Sequence, residues 1–240
     1  MAEFETIRRA GVGARTAEID EGLRAHMNKV YGLMSVAMLI TGGVAYIVGT
    51  NEQLLMTIFG SPLKWLVMFA PLIVVFAFSA MINRLSAAAA QGVFWAFSAL
   101  MGLSISYIFA VYTGVSIAQT FLVTAIAFAG LSLYGYTTKK DLSGWGSFLI
   151  MGVIGLIVAS IINIFLGTPA IMFAVSILGV LIFAGLTAYD TQNIKNTYLQ
   201  MAAHGEQEWL EKSAIMGALS LYLDFLNMFM FLLQFLGNRE

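Results

Sequence analysis

Asp224 is the one charged side chain in the apolar stretch from Ala214 to Leu236. Holding a carboxylate inside such a segment costs about 2.5 to 3.5 kcal/mol on insertion scales, so it persists where a partner, an ion path or a proton path uses it. Read as a helix, the stretch places Gly217, Ser220, Asp224, Asn227 and Gln234 on one face, at steps of three, four, three and seven. That face should look at protein or water rather than lipid. A second acid, Asp190, closes the preceding apolar segment, so two carboxylates on consecutive helices can meet.

Two carboxylates within hydrogen-bond reach in a low-dielectric site resist double ionisation, so the pair is expected to keep one proton and act as a pH switch without histidine. Calcium prefers several oxygen ligands. Asp190 and Asp224, with Asn193, Ser220, Asn227 or water, could offer it a weak, transient site, and weak binding suits permeation. The bland alternative for Asp190 is a solvated helix-end acid.

Other chemistry is restricted by what is missing. There is no cysteine, hence no disulfide, thiolate metal site or cysteine nucleophile. Both histidines, His26 and His204, fall outside every apolar segment, which leaves the Gly-Leu-Ser strings at 102–104 and 130–132 without a base and suits them to packing. No metalloprotease or phosphate-loop motif occurs. No lysine lies between 214 and 236 to carry a retinal Schiff base. One enzyme class passes this filter, an intramembrane aspartyl protease with two acids on adjacent spans. Tyr189-Asp190 resembles the first motif of the presenilin group, but Leu221-Tyr222-Leu223-Asp224 stands where that group has Gly-x-Gly-Asp.

The elements that must position these residues are membrane helices. The chain is 60% hydrophobic and 10% charged, with a mean hydropathy of +0.86, which is membrane composition. Apolar windows at roughly 30–49, 63–82, 91–112, 117–138, 146–167, 169–189 and 214–236 predict seven spans in one all-α domain, 29–240, behind a charged tail, 1–28. The tail has no apolar core and reads as a solvated arm rather than a cleavable signal. Arg8, Arg9, Arg15, Arg24, Lys29, Arg84, Lys139, Lys140, Lys195 and Lys212 fall on one side of this topology, and Lys64 and Arg239 on the other. The amino terminus is therefore expected in the cytoplasm and the carboxyl terminus outside. With no signal and no cysteine, a bacterial inner membrane is the expected location.

Connections are short, except the sixth, 191–213, whose charged run from His204 to Lys212 reads as a solvated or interfacial segment. Small residues such as Gly42-Gly43, Ala87 to Ala90, Gly152-x-x-Gly155 and Gly179 are expected where helices pack closely. A net charge of −1 favours neither nucleic acid nor a polybasic lipid-binding patch as a partner.

Two strings are more specific. Ala188-Tyr189-Asp190-Thr191-Gln192-Asn193-Ile194-Lys195 and Ala218-Leu219-Ser220-Leu221-Tyr222-Leu223-Asp224-Phe225-Leu226-Asn227 together resemble the Bax inhibitor family of transmembrane proteins. The resemblance implies a fold whose last helix stands centrally with the other six around it, and an activity as a pH-sensitive calcium leak with no cofactor and calcium as the permeant ion. It places the family's pH-sensing pair on Asp190 and Asp224 and its gating arginine on Arg84, at the end of the second span. For Arg84 the plain alternative is a positive-inside anchor. Bacterial relatives also suggest a different role, a non-transporting stress regulator that binds a membrane-bound ATP-dependent protease.

Depth raises a difficulty. Hydropathy leaves Asp190 at a membrane boundary and Asp224 about 15 Å into its helix at 1.5 Å per residue. They meet only if the sixth span continues past its apparent end, or the seventh begins before the bilayer.

Overall fold

The computed structural model describes the backbone of residues 2–202 and 207–238, and the side chains of 19–202 and 208–238. The sequence expectations for Arg8, Arg9, Arg15, His204 and Arg239 fall outside these side chains. Among the described residues the chain is helical and has no strand.

Helix α1 runs from Ala2 to Gly49. Asn51 starts the short α2, Glu52–Phe59, by accepting from the Leu54 amide at 3.1 Å. Helix α3, Leu63–Met81, ends in a 3-10 turn, Ile82–Arg84. Ser86 and Thr113 cap α4, Ala87–Ile105, and α6, Gly114–Thr137, with the one-turn α5, Ile108–Val111, between them. Helix α7, Ser143–Leu166, stops at Gly167, whose φ of 62° is left-handed. Pro169 then opens α8, Pro169–Met201, where its missing N–H is harmless. Helix α9 spans Gln207–Leu236. Seven of these stretches are long and apolar enough to cross a membrane.

Helix α9 is the inner element. In its most apolar stretch 61% is buried, against 11% for α7. Its principal neighbours are α1, α4, α6 and α8, whereas α3 rests on α4 and α7 on α8. The expected ring of six is thus an inner set of four with two helices leaning on it from outside. Aromatic edges lock the inner set: Phe94 and Phe97 of α4 meet Tyr222 edge-on at 5.8 and 6.0 Å, and Phe128 of α6 meets Phe225 at 5.5 Å. Close approach also depends on glycine. At Gly102 a Cβ would lie 2.5 Å from the Thr41 carbonyl, and at Gly135 it would overlap the Ala188 carbonyl. Gly152 and Gly179 likewise meet Ile182 and Phe231, but Gly42, Gly43 and Gly155 face open space, so the packing role expected of small residues does not extend to them.

Three helices, α1, α8 and α9, extend beyond what hydropathy gave them. Leu23, His26 and Met27, expected in the solvated arm, are buried in the core. They continue the apolar stripe of Val30, Met34 and Ala37 by one helical turn at a time. Helix α8 carries on to Met201 as helix, so much of the expected long sixth connection is helical.

Candidate functional site: a carboxyl pair below a vestibule

The extra length of α8 and α9 removes the depth conflict. Asp190 lies well inside α8, Asp224 well inside α9, and their carboxyls adjoin each other across the contact between the two helices. Two carboxyls brought together hydrogen-bond only when one of them carries a proton. Asp224 is 4% exposed and its Oδ2 has no N–H or O–H donor among the described residues. Only a protonated neighbour or water satisfies such an oxygen.

Gly217 lets the two helices close here, because a Cβ at that position would meet Ile194 of α8 at 2.9 Å. Three residues of the polar stripe of α9 face α8 in this way: Gly217 against Ile194, Asp224 against Asp190, and Gln234 accepting from Ser176 Oγ at 2.8 Å.

Above the pair lies a cavity of about 270 Å³. Asp190, Asn193 and Ser220 line it, joined by residues that the sequence does not point to as part of a site: His26, Trp209 and Lys212. Lys212 is ion-paired with Glu208 at 3.0 Å, one turn earlier. His26 packs against Tyr198 with the rings tilted by 36° and their centroids 4.9 Å apart. Hydropathy starts the first span near residue 30 and so leaves this histidine outside it. The signal that would have found it is the Leu23, Met27, Val30 spacing, which is helical and apolar.

The remaining site residues are placed differently. Asn227 turns back on its own helix, with Nδ2 donating to the Leu223 carbonyl at 2.8 Å. Arg84 is exposed on the 3-10 turn that ends α3, where Ile82 and Asn83, but not Arg84, line the cavity, and it forms no ion pair among the described residues. No group of three or more His, Asp or Glu side chains gathers among the described residues. Two carboxyls with neutral oxygens suit a cation in transit better than one held tightly.

Buried hydroxyls brace the pair on both sides. Thr191 Oγ1 donates to the Thr187 carbonyl at 2.7 Å, so Ser132 must donate to Thr191, and Tyr31 to Ser132, because each hydroxyl has one proton. This chain ties α1, α6 and α8 together next to Asp190. By the same logic Thr41 donates to the Ser98 carbonyl and receives from Tyr222, tying α1 and α4 to α9 next to Asp224. Gln192 reaches out of α8 to the α6–α7 connection: its Nε2 donates to the Lys140 carbonyl at 2.8 Å, and its Oε1 accepts from the Leu142 amide at 2.7 Å. Lys195 donates to the Tyr136 carbonyl at 2.8 Å.

Comparison with known proteins covers nearly the whole chain. The family model described as inhibitor of apoptosis-promoting Bax1 matches residues 23–240. An uncharacterised protein of Caulobacter vibrioides is 47% identical over 92% of both chains. The inner membrane protein YbhL of Escherichia coli is 46% identical over 91% of this chain and 94% of its own. A protein of Rickettsia prowazekii is 43% identical over 95% of both.

Proposed function

The chain belongs to the Bax inhibitor family, and from that premise we propose that it is a pH-sensitive calcium leak gated by protonation of the Asp190–Asp224 pair. The observation that carries this reading is the meeting of the two carboxyls beneath a vestibule that reaches Asp190, with Asp224 buried and its Oδ2 without a hydrogen-bond partner among the described residues. With one shared proton the pair has lost a negative charge. With none, two adjacent carboxylates repel, which favours either a cation between them or separation of α8 from α9.

Ion traffic would enter through the vestibule, past Asn193 and Ser220, with His26 of α1 and Lys212 of α9 as the other ionisable groups on its wall. Arg84 is one residue beyond Asn83 at the rim. When the pair is fully ionised it would swing to the pair and latch α3 across the entrance; in this arrangement it forms no ion pair among the described residues. Beyond Asp224 the stack of Phe183 on Phe231, 5.9 Å between centroids, supports reading this arrangement as shut on the far side.

The basic residues on the vestibule end and the relative in the Escherichia coli inner membrane support a bacterial inner-membrane location with that end in the cytoplasm. The test is calcium flux into proteoliposomes across about pH 5 to 8, the range over which a shared-proton pair would switch. Flux that is absent at every pH would sink the leak and direct attention to capture of a membrane-bound ATP-dependent protease.

A further inference from the structure

A second cavity, about 420 Å³, opens sideways on the opposite flank of α9, between α1 and α6. Its floor is Phe225, Leu226 and Phe229, the buried α9 face that follows Asp224. Small residues open its walls, Gly42 and Ala45 on α1 and Gly114 and Ala118 on α6, between larger ones such as Phe109 and Phe121. Small residues in membrane helices ordinarily mark a backbone contact. Here Gly42 and Gly114 have nothing within 4 Å of where a Cβ would stand, so the space they leave is taken by no part of the chain described.

The chemistry of the cavity narrows its occupant. Thr41 and Tyr46 are the only lining side chains with an oxygen, and the Thr41 hydroxyl is already committed to Ser98 and Tyr222. A polar ligand would find nothing to bond in the deeper part. Along α1 the lining runs from Met38 to Tyr46, about 12 Å at 1.5 Å per residue. That is close to the ~15 Å depth of one leaflet of a ~30 Å hydrocarbon core. Exposed Tyr46 stands at the outer end, near the end of its span at Gly49, where an aromatic ring with a hydroxyl suits the headgroup level. The opening therefore lies at hydrocarbon depth, is apolar, and is one chain long.

We infer that the cleft between α1 and α6 takes one acyl chain of a membrane phospholipid, which enters from the leaflet on the Tyr46 side and lies on Phe225, Leu226 and Phe229. The chain end reaches Met38 and Thr41, at the level of Tyr222. It thus supports the α9 face that begins at Phe225, directly after Asp224. Binding itself does not depend on the leak reading.

The test is photolabelling of the full-length protein in phosphatidylcholine vesicles containing a phospholipid with a diazirine near the acyl terminus, with labelled residues located by mass spectrometry. Label is expected on Phe225, Leu226 and Phe229, which are buried from the lipid around the bundle, as well as on exposed Ile154 in the middle of α7, and not on Phe94 or Phe97, buried elsewhere. Gly42→Trp, and separately Ala118→Leu, should reduce label on the three floor residues at least several-fold and leave Ile154 unchanged. Label on Ile154 with none on the floor overturns the inference. So does disulfide joining of two copies through Gly42→Cys in this cysteine-free chain, since a second protein would then fill the cleft.

Discussion

The carboxyls of Asp190 and Asp224 adjoin across the α8–α9 contact, with Asp190 facing a vestibule and Asp224 buried behind it. Because two adjacent carboxyls out of water resist double ionisation, a side chain that cannot ionise removes the switch while keeping the shape. Asp190→Asn and Asp224→Asn are each expected to flatten the pH dependence of calcium flux to within about twofold across about pH 5 to 8. Proteoliposome flux measures this, and a variant that keeps the parental pH profile would place the sensor elsewhere.

Arg84 gives a different signature. A latch made by its guanidinium on an ionised pair acts only while the pair carries full negative charge. Arg84→Ala should therefore change flux at the alkaline end of the profile and leave the acid end as it is. Equal change at both ends would mark Arg84 as an anchor at the helix end rather than a gate.

Gln192 is expected to matter for stability rather than flux. Its amide makes two hydrogen bonds to the backbone of the α6–α7 connection. Gln192→Ala should cost about 1 to 3 kcal/mol by leaving those backbone groups unpaired. Unfolding of the detergent-solubilised protein reads this as a lower transition midpoint.

Thr41 and Tyr222 should behave as a coupled pair. Thr41→Val and Tyr222→Phe each break the hydroxyl contact between α1 and α9, 2.7 Å long, so the double variant should be destabilised by less than the sum of the singles. A coupling of about 1 kcal/mol is expected from residues in direct contact. Strict additivity would show that the contact contributes nothing in the membrane.

Glycines separate into two kinds, and substitution tells them apart. Gly102→Ala sets a methyl 2.5 Å from the Thr41 carbonyl and should destabilise by about 1 to 3 kcal/mol. Gly43→Ala meets nothing within 4 Å and should be neutral or slightly stabilising, through lower entropy of the unfolded chain. Thermal unfolding of the two variants side by side is sufficient.

By itself the sequence determined the class and the number of spans, because burying apolar length in a bilayer is a local property of each segment. It also marked Asp224, since one charge in an apolar run needs no partner to be conspicuous. Tertiary structure decided where segments end. Charged, solvent-tolerant residues such as those around Lys195 and Lys212 break a hydropathy window without breaking a helix, so α8 and α9 reach farther than their apolar runs, and Asp190 meets Asp224 inside them. The same blind spot hid His26, whose burial comes from neighbours on other helices. Composition likewise treats Gly102 and Gly42 alike; only the packing of α4 on α1, and the opening left between α1 and α6, gives one a contact and the other a cleft.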